Sequence, residues 1–143
     1  MTKEDKRQSA SADRKVACGK RQDEVVTKWQ EQAHEKWDAS PITFGRLAQE
    51  IFEAIKNEDW VLTANDLKKQ VRKQWDFDKA YRHPGTELGT STQIGISLGV
   101  ALAHQAKGRL VVDIQPDGAL MLDAGAVWSE ANYKVPVMVW MHN

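Results

Sequence analysis

The final stretch, RLVVDIQPDGALMLDAGAVWSEANYKVPVMVWMHN (109–143), limits the possible folds more than any other. RLVVDIQ (109–115) is short, β-branched and largely apolar, the pattern of a strand buried on both faces. Asp117-Gly118 ends it. Residues 122–133 then carry Leu122, Ala126, Val127 and Ala131, with Trp128 beside them, at roughly helical spacing. Pro136–Met141 is a second apolar run. Two strands joined by a helix predict a right-handed βαβ unit with the strands parallel. Ligands of an open parallel sheet bind past the carboxyl ends of its strands. Asp117 follows the first strand and Asn143 the second, so both fall at that edge. Two oxygen-bearing side chains there suit a hard cation such as Mg²⁺, which keeps coordination positions open for phosphates.

The spacing resembles the cofactor motif of thiamine-diphosphate-dependent enzymes, a Gly-Asp-Gly triplet followed some two dozen residues later by an Asn pair. Here Asp117-Gly118 is followed by 24 residues, Ala119–His142, and then by Asn143. The text LGVALAHQAKGRLVVDIQPDGALMLDAGAVWSEANYKVPVMVWMHN is similar to the diphosphate-binding domain of the acetolactate synthase, benzoylformate decarboxylase and pyruvate decarboxylase group. The match covers residues 40–143. Two departures stand out. Pro116 replaces the first glycine, removing an N–H and fixing φ, which a strand end tolerates. The second Asn falls just past Asn143, so the sequence supplies Asp117 and stops short of its partner ligand.

The resemblance implies an α/β fold, an open parallel sheet with helices on both faces, as a truncated thiamine-diphosphate-binding fold. It implies thiamine diphosphate and Mg²⁺ as cofactors, with Asp117 as metal ligand. Gly118 and Ala119 would offer backbone N–H groups to the diphosphate, aided by the following helix N-terminus, and Asn143 would support the site from the next strand. Gly89 and Thr90 correspond to the loop beside the thiazolium, although PGTELGTS (84–91) holds fewer glycines than the family's loop. Asn65, after the strand Trp60–Ala64, either helps hold the diphosphate or caps the helix beginning near Asp66. The implied activity is that of a lyase or transferase acting on 2-keto acids. Its activating glutamate sits on a pyrimidine-binding domain of the same or another subunit, and the complete enzyme is expected to be a homo-oligomer. Nothing here looks like that domain, so the sequence reads as a fragment, inactive alone, with no catalytic residue of its own. The alternative is a non-catalytic α/β interaction module that binds a protein partner through the Trp29/Trp37 helix and a free sheet edge.

Balanced charge, 20 basic and 20 acidic residues, gives no footprint for nucleic acid or a membrane surface. A lone cysteine, Cys18, excludes an internal disulfide and a cysteine-based zinc site. No apolar run approaches a membrane span and no secretory leader is evident, so a cytoplasmic location is expected.

Along the chain, residues 1–24 are polar and expected to be disordered. Residues 25–39 form a helical linker whose Val25, Val26, Trp29, Ala33 and Trp37 share a stripe. Ser40 and Pro41 read as cap and first residue of a helix running to about Lys56. Leu67–Trp75 reads as a basic, solvated helix, and Asp76–Leu88 as an irregular loop with His83 on its surface. Ser91–Ala106 is an apolar helix in which Gly95 and Gly99 would admit a close backbone, closed by a C′ glycine at Gly108. Trp128 and Trp140 are read as core, and His104 and His142 as satisfied or surface histidines.

Overall fold

The computed structural model describes residues 3–64, 67–83 and 92–143. In order the elements are α1 (Lys3–His34), α2 (Phe44–Ile55), β1 (Trp60–Ala64), α3 (Lys68–Gln74), α4 (Thr92–Gln105), β2 (Leu110–Pro116), α5 (Asp117–Leu122), α6 (Gly125–Tyr133) and β3 (Val137–His142). The strands form one open parallel sheet in the order β1-β2-β3. Helices pack on both of its faces, as expected.

Alternation along the strands divides the sheet into two cores. Trp60 and Leu62 of β1 and Val112 and Ile114 of β2 face α2 and α3, where they meet Ala48, Ile51, Ile55, Val71 and Trp75. The intervening Val61 and Val111 face α4 and meet Ala101, with Val135 closing the cluster. Residues two apart on a strand share a face, so the same segment serves both cores. Burying each large side chain is worth about 1.5–3 kcal/mol.

β1's outer edge is closed by the chain itself. The Leu62 N–H donates to the Arg82 carbonyl at 2.7 Å. The nearly buried Arg82 guanidinium lies 4.1 Å from the Trp60 ring centroid and donates to the Trp60 and Glu58 carbonyls. β3, at the other edge, keeps Met138, Trp140 and Met141 exposed.

Several local expectations are corrected. The chain is helical from Lys3, where composition suggested an unordered segment. Its alanines, lysines, arginines and glutamines favour helix even unpacked, and its side chains before Val25 are exposed wherever they are described. The Trp29/Trp37 stripe does lie against this domain: Lys73 sits 5.7 Å over Trp29 and Arg46 5.0 Å over Trp37. Thr43, not Ser40, caps α2, its hydroxyl accepting from the Arg46 N–H at 3.2 Å. The close approach that needs glycine is at Gly45, where a Cβ would stand 3.2 Å from the Ala33 Cα. At Gly95 and Gly99 a Cβ would meet nothing, because both face away from the sheet. Gly108, at φ +64°, does end the α4 segment. The helix expected over 122–133 is broken into α5 and α6 around Asp123-Ala124-Gly125, residues that include two weak helix formers. Of its expected apolar stripe only Ala126 is buried, and Trp128 is 65% exposed rather than core.

Candidate functional site

The carboxyl edge of the sheet is set by the pairing of β2 with β3. Their last register pair is Pro116↔His142. Asp117 and Asn143 therefore each stand one residue past the paired ends of neighbouring parallel strands. Pro116 finishes β2 in an extended conformation, φ −72° and ψ 154°, and serves as the residue before α5. Its ring tolerates both roles because neither uses an N–H.

Asp117 is partly exposed and opens α5. Its Oδ1 accepts a hydrogen bond from the Gly118 N–H at 2.6 Å, so the carboxylate curls over its own turn. Gly118 is exposed, with open space where a Cβ would be, and Ala119 is buried. Asn143 is exposed. Among the described residues no group of three or more His, Cys, Asp or Glu is assembled for a metal, and no ion pair involves Asp117. The candidates Asn65, Gly89 and Thr90 lie outside the described residues.

Below this edge, on the α4 face, lies a polar layer that the sequence reading did not single out. Thr63, Gln93, Ser97, Asp113 and Gln115 are all at most 1% exposed. Thr63 and Asp113 are register partners on β1 and β2. The Thr63 and Ser97 hydroxyls are 2.7 Å apart; Thr63 also donates to the Val112 carbonyl and Ser97 to the Gln93 carbonyl. The Gln115 amide donates to Asp113 Oδ2 at 2.6 Å. Burial pushes the Asp113 carboxyl up to about 7, the Ser97 hydroxyl opposing the shift and Glu130 of α6 adding to it. Burial also raises Glu130. A signal was available: Asp113 and Gln115 are the polar members of an apolar strand, two apart and hence on one face.

The opposite, amino edge carries its own charged cluster, and it is saturated. Asp59 accepts from the Tyr81 hydroxyl and from Arg109 Nε, the latter at 2.9 Å, with Lys79 Nζ 3.6 Å away. Those hydrogen bonds, Tyr81's first and Arg109's next, hold the Asp59 carboxyl well below its usual range. Arg109 lies 3.5 Å over the Tyr81 ring and also meets His104 Nδ1 at 2.9 Å. Burial first, then the Arg109 charge, lowers His104. His142 packs edge-on against Phe44, ring centroids 5.6 Å apart.

The open parallel sheet, with its polar carboxyl edge, defines the class of fold. Neither a protein-family model nor a curated protein sequence matches the chain significantly. Among solved structures it is similar to a protein from Mycobacterium smegmatis provisionally described as a thiamin diphosphate-dependent enzyme. The TM-score is 0.62 at 18% identity, over 71% of this chain and 20% of that one. This chain thus spans about a fifth of that protein's length. The likeness is one of fold. No described helix is long and apolar enough to cross a membrane.

Proposed function

We propose that this chain binds the diphosphate of thiamine diphosphate through Mg²⁺ at the β2–β3 carboxyl edge, as part of a 2-keto acid decarboxylase or acetolactate synthase-like enzyme. The observation that carries the reading is the parallel register ending at Pro116↔His142, which leaves a carboxylate and an amide at adjacent strand ends. Asp117 fits the group in kind. It is an acceptor-only side chain on an open turn, and Mg²⁺ usually takes one or two carboxylates and fills its shell with phosphate oxygens and water. Asp117 would be the metal ligand, the Gly118 and Ala119 backbone would face the diphosphate, and Asn143 would steady the edge. Asn65, Gly89 and Thr90 complete the candidate set. Bound thiamine diphosphate supplies an electron sink for decarboxylation. This chain's residues only hold and orient it, and activity would need a pyrimidine-binding domain and the oligomer that brings it.

Calorimetric titration of thiamine diphosphate in the presence of Mg²⁺ tests the reading. Heat from the wild type that is lost in Asp117→Ala is the expected result; equal heats would refute Asp117's role. A second reading, a non-catalytic interaction module, draws on the exposed Met138, Trp140 and Met141 along β3. It expects concentration-dependent assembly in size-exclusion chromatography that ignores both Mg²⁺ and cofactor.

A further inference from the structure

The layer between β2 and α4 holds a carboxyl group that the edge site does not use. Asp113 is fully buried and no described cation pairs with it. One of its oxygens accepts from Gln115; the other, Oδ1, has no hydrogen-bond partner of good geometry among the described residues. Gln115 Oε1, both amide atoms of Gln93 and Glu130 Oε1 are likewise buried without a partner. Thr63 and Ser97 have two hydroxyl protons to share among their mutual contact, the Val112 and Gln93 carbonyls and, from Ser97, the Asp113 carboxyl, whose upward shift that contact only partly offsets. Among the described residues these unpartnered atoms are four acceptor oxygens against one donor group, Gln93 Nε2, and a single proton on Asp113 would turn one of the oxygens into a donor.

We propose that this layer is a proton-binding latch: Asp113 carries a proton while α4 is docked on β2, donates it to the surplus acceptors facing it, and loosens that docking when it loses the proton. An unpaired carboxylate sealed between a strand and a helix is costly, whereas the neutral acid is a hydrogen-bond donor at little cost. Among the described residues, the groups facing Asp113 offer no compensating positive charge. β1 contributes Thr63, α4 contributes Gln93 and Ser97, β3 contributes Val139, and the charged neighbour is Glu130 of α6, which repels a second negative charge. The latch is independent of what the carboxyl edge binds.

Its sign is fixed by linkage. Asp113 is raised from 3.8 to about 7, so the packed state holds a proton that the unfolded chain releases. Its stabilising effect is complete below pH 3.8 and lost as pH rises through about 7. One such group raises the unfolding constant about tenfold per pH unit inside that window. Glu130, raised by burial, acts in the same direction, while His104, lowered, acts in the opposite one. Comparison with Asp113→Asn, which keeps shape and a donor, removes both backgrounds.

The test is denaturant unfolding of the full chain from pH 4 to 9, wild type against Asp113→Asn, with the carboxyl carbons followed by NMR in the wild type. The wild type should lose stability relative to the variant up to about pH 7 and then run parallel to it, and the Asp113 carbon should titrate near neutrality. Glu130→Gln should move that titration to lower pH. Curves that stay parallel throughout, or an Asp113 carbon already ionised at pH 5, would overturn the latch. If the Asn variant does not fold, the wild-type titration decides alone.

Discussion

The two faces of the sheet are built from alternate residues of the same strands, yet they are chemically unlike. On the α2/α3 face the layers run Trp60 with Leu110, then Leu62, Val112 and Met138, then Ile114 beside Trp140. On the α4 face they run Val61, Val111 and Val137, then Thr63, Asp113 and Val139, then Gln115 and Met141. The first face stays apolar through Ile114 and Trp140 and meets a polar ring only at its rim, in His142 beside Phe44. The second turns polar halfway up and leads directly to Asp117. Polar groups are expensive to bury, so the buried polar layer on the α4 face, which rises toward Asp117, is the costlier of the two faces to build.

The largest effect is expected where the apolar face is most crowded. Trp60 is fully buried, and Phe52, Trp75 and Phe77 meet it edge to face with ring centroids 5.3–6.3 Å away. Arg82 covers another side of the ring. Trp60→Ala should cost about 3–5 kcal/mol and should do so equally at pH 5 and pH 8, measured by urea unfolding. A pH-dependent cost would mean that the two faces are not separable.

A smaller effect is expected from the polar face. Thr63→Val removes a buried hydroxyl that meets Ser97 and the Val112 carbonyl. The loss should be about 1 kcal/mol, and Ser97→Ala should not add to it fully, because the two hydroxyls act as one unit. Strict additivity in the double-mutant cycle would show the layer to be a set of unrelated groups.

Much of this arrangement was legible beforehand. The three strands and α4 follow from β-branched runs and a C′ glycine, signals carried by the local chain. Orientation was harder. Periodicity placed Trp128 on a stripe without saying whether anything lay opposite, and the α5–α6 break at Asp123–Gly125 rotates that stripe out of register. Gly95 and Gly99 were likewise given a packing role that the helix's outward face does not use. For the site, spacing alone picked out Asp117 and Asn143, because a parallel pair converts sequence distance into adjacency. Asp113 escaped notice because the apolar residues around it identify a buried strand whether or not it is there. The cost of burying it becomes visible only once α4 is known to cover it.

The smallest expected effect on stability lies at the rim, and it separates the two polar regions of the α4 side. Asp117 is partly exposed, and its carboxylate bonds to the Gly118 N–H of its own turn. In Asp117→Ala that exposed N–H can turn to water, so the stability change should stay within about 0.5 kcal/mol. The same substitution should abolish the Mg²⁺-dependent heat of cofactor binding. A side chain that costs little to remove from the fold but much to remove from the ligand is there for the ligand. If Asp117→Ala instead destabilises the chain as much as Thr63→Val does, the carboxylate is holding the turn, and the polar gradient ends in structure rather than in a binding site.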